Sequence, residues 1–396
     1  MDKPAVLYAA FDVVPSPKGA STHISHFVHG LVDGGYRVHL VTAGDASLPE
    51  HDDYAGASVW RVPAADEANF LERALAFGRA VMAHAETAGG YAVAHFRSLW
   101  CGLPLVQAAA RLGYRTLFEV NGLPSVELKY HYPGLRGTPL EAKIGTQEVA
   151  TLLRADAIVC PSAVTREYIA SLGIERDKIT VIPNGIEPRL FCPTPRQASA
   201  GTAMLLYVGT LADWQGLELL LEALPLVLAR RDVRLRIVGR GRGRQQRELA
   251  KRARRLGVEG QVSVEDALPH HQVPALIAAA DVCVAPLAYN DRNVTQGCCP
   301  LKVLEYMACG RPVVAANLPV VRELARDGQD ALLFSPDDPT DLARCILAVL
   351  EDPSLAGRLS TSAAERARRR FTWARAQRRL LRVYERLLRG GMTPEL

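Results

Sequence analysis

Cys299-Pro-Leu-Lys-Val-Leu-Glu-Tyr-Met-Ala-Cys-Gly-Arg-Pro-Val-Val-Ala315 reads as a short helix over 301–308 followed by a buried strand over 313–315. Pro300 suits the opening of a helix, whose first turn presents free backbone N–H groups and the positive end of the dipole. Lys302 adds a full charge in that turn, and Glu305 follows three residues later on nearly the same face. Two readings stay open from these residues alone. One is an amphipathic helix with a surface ion pair. The other is a site where a phosphate meets the helix start and Lys302 while Glu305 accepts hydrogen bonds from two ribose hydroxyls.

Working outward, short β-branched runs alternate with amphipathic windows, the pattern of parallel sheets covered by helices on both faces. Strands are expected at 6–10, 38–42, 91–95, 116–120, 157–160 and 180–182, then at 204–208, 235–238, 262–264, 282–285 and 313–315. Helices fit around 217–230, 244–256, 301–308 and 339–351 in the second series. Between the two series the chain becomes Pro-rich and then small and polar, Cys192-Pro-Thr-Pro195 through Ser199-Ala-Gly201, and sustains neither period. The expected fold class is α/β, with two Rossmann-like doubly wound domains facing a central cleft and ligands at the carboxyl ends of the strands.

Composition narrows the function. The 396 residues suffice for two domains at roughly 100–200 residues each. With 48% hydrophobic and 22% charged residues the chain is neither disordered nor fibrous. Forty-seven basic less 42 acidic residues leave +5, too mild an excess to announce nucleic-acid binding. No run reaches the ~18 apolar residues of a spanning helix, and from Met1-Asp2-Lys3-Pro4 onward no leader segment is expected. A cytoplasmic location is expected. Arginine is dense over 230–255 and 366–389, both read as helical. A solvated face explains this, as does peripheral contact with an anionic membrane at about 1 kcal/mol per basic group. Eight cysteines without a CxxC pair suit reduced thiols and no metal site.

The second half resembles family-4 retaining glycosyltransferases of the GT-B fold, whose signature LEAMACGxPVVA is matched by Leu304-Glu-Tyr-Met-Ala-Cys-Gly-Arg-Pro-Val-Val-Ala315. Further landmarks fall in the family's order: Val181-Ile-Pro-Asn-Gly-Ile186, Leu206-Tyr-Val-Gly209, Ile237-Val-Gly-Arg-Gly241, Ala280-Asp281-Val-Cys-Val-Ala-Pro286 and Phe371-Thr-Trp373. The resemblance covers nearly the whole chain. It implies an acceptor-binding domain over 1–190, a linker over 191–202, a nucleotide-sugar domain over 203–371, and a last helix over 372–390 crossing back to the first domain. It also implies transfer of a hexose from a nucleotide sugar, UDP-sugar before GDP-sugar, to a hydroxyl acceptor, with retention and no metal or other cofactor. The absence of any DxD pair agrees with the last point.

By the same resemblance Glu305 holds the ribose and the backbone of Pro300, Leu301, Lys302 and Val303 faces the diphosphate, with Gly209, Gly239 and Arg240 nearby. Gly19-Ala20 opens a phosphate-proximal loop in the first domain, and His95, Trp100, Asn121 and Asn184 line the acceptor side. Several positions depart from the family pattern. Gly297 stands where an acidic residue is usual, eight positions before Glu305. Thr210 and Gln215 replace the expected Arg and Lys after Tyr-Val-Gly, Arg97 occupies the place of a catalytic-site His, and Asn121-Gly122 stands for His-Gly. Arg97 and Lys302, with Arg292 or Arg240, are the cations left to neutralise a leaving diphosphate, and Lys302 is the first choice.

Weaker signals point elsewhere. Gly239-Arg-Gly-Arg-Gly243 fails the dinucleotide frame because Arg244 takes the last glycine position. His23, His26 and His29 are spaced by three, against the i, i+4 spacing of a zinc pair. Tyr130-His-Tyr-Pro-Gly134 is read as an aromatic loop that packs at the surface, holds an acceptor or touches lipid. The acceptor reads as a cell-envelope polysaccharide or lipid-linked glycan, with a small natural-product aglycone as the main alternative. An inactive sugar-nucleotide-binding partner subunit and a nucleotide-sugar 2-epimerase stay open as different classes.

Overall fold

A computed structural model of the chain describes residues 3–63, 69–194 and 201–389. These fall into two compact units: the described residues up to Pro183 with those from Ala374 onward, and Asn184–Trp373. Residues 195–200 of the expected linker lie outside the described residues.

The first unit holds an eight-stranded sheet made of β1 (Ala5–Ala10), β2 (Arg37–Ala43), β3 (His51–Tyr54), β4 (Ala57–Val62), β5 (Tyr91–Phe96), β6 (Arg115–Glu119), β7 (Ala157–Cys160) and β8 (Ile179–Val181). Their order is β3-β4-β2-β1-β5-β6-β7-β8. The second unit holds β9 (Ala203–Val208), β10 (Val233–Val238), β11 (Val262–Glu265), β12 (Val282–Ala285), β13 (Val313–Ala316) and β14 (Leu332–Phe334), ordered β11-β10-β9-β12-β13-β14. Every expected strand is present. Pairing is parallel except between β3 and β4, an antiparallel edge hairpin that the alternation of apolar runs did not announce.

Burial explains the composition of the strands. All six residues of β1 are buried, because a sheet covered on both faces has no wet side. Helix Gly19–Asp33 turns Ile24, Phe27, Val28 and Leu31 inward. Asn69 and Glu72 form a capping box on helix Phe70–Ala88, and Asp338 and Asp352 cap the helices Pro339–Glu351 and Pro353–Arg370. Helix Trp373–Leu388 packs on the first unit: Gln377 Nε2 donates to His26 O at 2.8 Å, and the Tyr36 and Tyr384 rings meet at 5.1 Å.

Two local expectations change. The arginine-dense stretch 230–255 is helical only over Gly243–Arg255, since Arg234 and Arg236 lie on β10. The aromatic segment is not a plain loop: Tyr130 and His131 end helix Pro124–His131, and Pro133–Leu135 form a single 3-10 turn.

Glycines let the strand ends of the second unit converge. A Cβ on Gly239, just past β10, would sit 1.6 Å from the Gly209 carbonyl oxygen just past β9. A Cβ on Gly216, at φ +71°, would sit 1.9 Å from Pro286 O. In each case the obstacle is backbone, which cannot rotate aside. Gly239→Ala should therefore lower stability by about 1–3 kcal/mol or more, read as a lower urea midpoint with an unchanged slope.

Candidate active site

In the second unit, β9 delivers Tyr207 and the turn after it delivers Thr210 and Gln215, while helix Leu301–Ala308 delivers Lys302 and Glu305. Lys302 is buried. Its Nζ donates to Tyr207 Oη at 2.8 Å and to Gln215 Oε1, and it lies 3.9 Å from the centre of the Tyr207 ring. Tyr207 Oη in turn donates to Thr210 O at 2.6 Å, and Gln215 Nε2 to Thr210 Oγ1 at 3.3 Å. Burial pushes the Lys302 ammonium well below the usual lysine range, and nearby Arg292 pushes the same way against Cys298 and Glu305. Gly209, at φ +154°, leaves room for the amine: a Cβ there would meet Nζ at 2.8 Å.

Arg292 flanks this group. Its guanidinium lies over the Trp214 ring at 4.9 Å and donates to Asn293 Oδ1 at 3.0 Å. Arg292–Gln296 form a π-helical turn that ends at Gly297, whose φ is +82°. That conformation favours glycine over an acidic side chain at this position. Glu305 Oε1 accepts from His270 Nε2 at 2.9 Å, and Asn184 Nδ2 donates to Cys299 O at 2.7 Å just before the helix.

The first unit concentrates polar groups at the carboxyl ends of β1, β5 and β6. Glu119, the last residue of β6, is buried at 2% exposure. Its Oε2 accepts from Tyr8 Oη at 2.6 Å and lies 3.1 Å from His95 Nε2. Its Oε1 accepts from Arg97 Nε at 2.7 Å and from Asn121 Nδ2, and lies 2.9 Å from His23 Nε2. Arg97 Nη1 also reaches Asp12 at 3.2 Å, and His95 Nδ1 bonds Tyr384 Oη at 2.8 Å. Burial alone would raise the Glu119 carboxyl. Charge from His23 and Arg97, with hydrogen bonds from His23 and His95, outweighs it and holds the group well below the usual carboxylate range.

Comparison with known proteins gives the family. Residues 202–352 match the family model for glycosyl transferases group 1, and residues 17–190 match the model for glycosyltransferase family 4. A D-inositol 3-phosphate glycosyltransferase of Catenulispora acidiphila is 31% identical over 306 residues, covering 73% of this chain and 68% of that one. The chain belongs to the GT-B glycosyltransferases. Among solved structures, sucrose-phosphate synthase of Thermosynechococcus elongatus superposes with a TM-score of 0.83 over 98% of this chain and 100% of that one, at 20% identity. HepE of Anabaena, solved with UDP-glucose, superposes at 0.75 over 96% and 99%, at 18% identity. At such identities the likeness is one of fold.

Within this glycosyltransferase, Tyr207, Gln215 and Gly209 surround the Lys302 amine, Thr210 bonds Tyr207 and Gln215, Gly239 packs on the Gly209 carbonyl, and Glu305 lies one turn further along the helix. Pro300 caps that helix and Leu301 opens it. The Val303 side chain is buried in the core, and its backbone N–H donates to Pro300 O at 3.1 Å. Arg240 is exposed, and its carbonyl accepts from Leu211 N at 3.0 Å. Gly19 and Ala20 do not open a loop; they are the first two residues of helix Gly19–Asp33. His95, Arg97 and Asn121 all converge on Glu119, whereas Trp100 is packed beside Leu99, Leu128 and Ile144. Glu119 and His270 escaped the sequence reading. A single carboxylate in the apolar run Thr116–Val120 was the available sign of the first, and nothing in the pattern marked the second.

Glu119→Ala would leave Arg97 without its buried counter-ion, at a cost on the order of 3–5 kcal/mol. Because the native carboxyl titrates below its unfolded value, its contribution is complete above about pH 4.5 and is lost as pH falls through the native value. Urea melts of wild type and variant should therefore differ most above that pH and converge in acid.

Proposed function

We propose that this chain is a retaining, metal-independent hexosyltransferase that moves a hexose or hexose derivative from a UDP-sugar to a hydroxyl acceptor. One observation carries the reading: the Lys302 amine is buried with two uncharged partners, Tyr207 and Gln215, at the start of the helix that bears Glu305. A buried cation lacking a hydrogen-bonded anion gains most from an anion brought by a ligand. A diphosphate supplies that anion, and the first-turn N–H groups add donors for it.

The substitution of Gln215 for the lysine that the family resemblance expects then has a physical meaning. Lys302 reaches the Gln215 amide from the helix, so the positive charge has moved to a different element while staying at the same place. Arg292, held over Trp214, is the second cation of this arrangement. Glu305 accepts the ribose hydroxyls. In the reaction the bond from the anomeric carbon to the diphosphate oxygen breaks as the acceptor oxygen bonds that carbon on the same face. The acceptor proton passes to the departing phosphate oxygen. Charge grows on the diphosphate, where Lys302 and Arg292 stabilise it, and no protein nucleophile is required.

The fold shared with HepE, solved with UDP-glucose, supports UDP as the nucleotide. For the acceptor, a cell-envelope polysaccharide or lipid-linked glycan is supported by helix Gly243–Arg255, which exposes Arg244, Arg247, Lys251, Arg254 and Arg255 toward solvent. Such a face suits an anionic surface. No described helix is long and apolar enough to cross a membrane.

UDP should raise the melting temperature without added magnesium, and more than GDP, ADP or TDP; no shift with any of them would favour an inactive partner subunit. Lys302→Met should lower kcat about 10²- to 10³-fold, the loss of one transition-state donor, with a smaller change in KM. Glu305→Ala should weaken UDP binding roughly 10- to 100-fold, the range of a hydrogen bond to a charged group.

A further inference from the structure

Glu305 is one of the few carboxylates of the second unit buried beside the proposed nucleotide site, with a side chain 11% exposed. Its Oε1 is engaged by His270 Nε2 at 2.9 Å, and among the described residues no hydrogen bond reaches its Oε2. A carboxylate only accepts, so the hydrogen of this contact sits on the imidazole nitrogen. His270 itself is placed by its surroundings. It opens the turn His270–Gln272 directly after Pro269, ahead of helix Val273–Ala278, and its ring lies 5.2 Å from that of Phe191, a fully buried side chain.

A free glutamate side chain loses up to about 1.5–2 kcal/mol of rotamer freedom when a ligand fixes it. Here that freedom is already removed, with one oxygen held and the other left open. We propose that His270 is a positioning residue for nucleotide binding: it fixes the Glu305 carboxylate so that Oε2 meets the ribose hydroxyls already oriented. The gain is one of pre-organisation. The Phe191 ring packs beside the imidazole. The inference rests on the reading of Glu305 as the ribose-binding group.

The test compares UDP with 2′,3′-dideoxy-UDP, binding each by calorimetry to the full-length wild type, His270→Ala and His270→Gln. Wild type should prefer UDP by at least tenfold. His270→Ala should weaken UDP about fivefold and leave the dideoxy nucleotide within twofold, because without ribose hydroxyls the orientation of Glu305 no longer matters. His270→Gln, whose amide can donate to the same oxygen, should recover most of the loss. An equal loss of both nucleotides in His270→Ala overturns the positioning role and makes His270 a direct contact or a general support of the fold. Equal binding of both nucleotides by wild type overturns the ribose reading of Glu305 itself. The dideoxy arm also controls for folding, since a collapsed variant loses both ligands.

Discussion

A charge taken out of water must be met by another charge or by well-placed dipoles, and the two units of this protein meet that constraint in opposite ways. In the first, Glu119 is surrounded by Arg97, His23, His95, Tyr8 and Asn121, so its charge is answered within the unit. In the second, Lys302 is buried against the ring and hydroxyl of one tyrosine, Tyr207, and the amide of Gln215, both neutral. The first centre is self-sufficient. In the proposed reading the second takes its anion from the donor.

The fold was legible because a sheet covered on both faces forces its strands to be short unbroken apolar runs, as in Val282–Ala285 and Ala157–Cys160. The hairpin of β3 and β4 was not. His-Asp-Asp-Tyr carries no apolar signature, since an edge strand with mostly exposed residues is under no pressure to be hydrophobic. Leu332–Phe334 was not expected as a strand either.

At the candidate site the sequence was informative where local spacing carries the chemistry. Lys302 and Glu305 lie on one short helix, and their relation can be read from a difference of three in number. Contacts that join distant segments leave no such trace. His270 meets Glu305 from 35 residues away, and Tyr384 meets His95 across 289. The departures at Thr210 and Gln215 looked like lost cations when read along the chain. In space, the Lys302 amine bonds Gln215, a contact between two elements that the order of residues does not display.

The ends of the second unit meet. Ile186 bridges Thr372 in parallel, Trp373 N donates to Ile186 O, and Gly185 lies so close to this strand that a Cβ would be 2.3 Å from Trp373 N. Residues 184–373 therefore form a closed cassette whose entry and exit are already tied together, the arrangement under which whole domains can be inserted or exchanged with little strain. The natural seams for a chimera lie before Asn184 and after Trp373. A cut placed later, in the polar run near 195–200, would leave Asn184 and Phe191 with the wrong partner and separate them from Cys299 and His270, so that a hybrid built at the apparent linker would lose the native contacts of both.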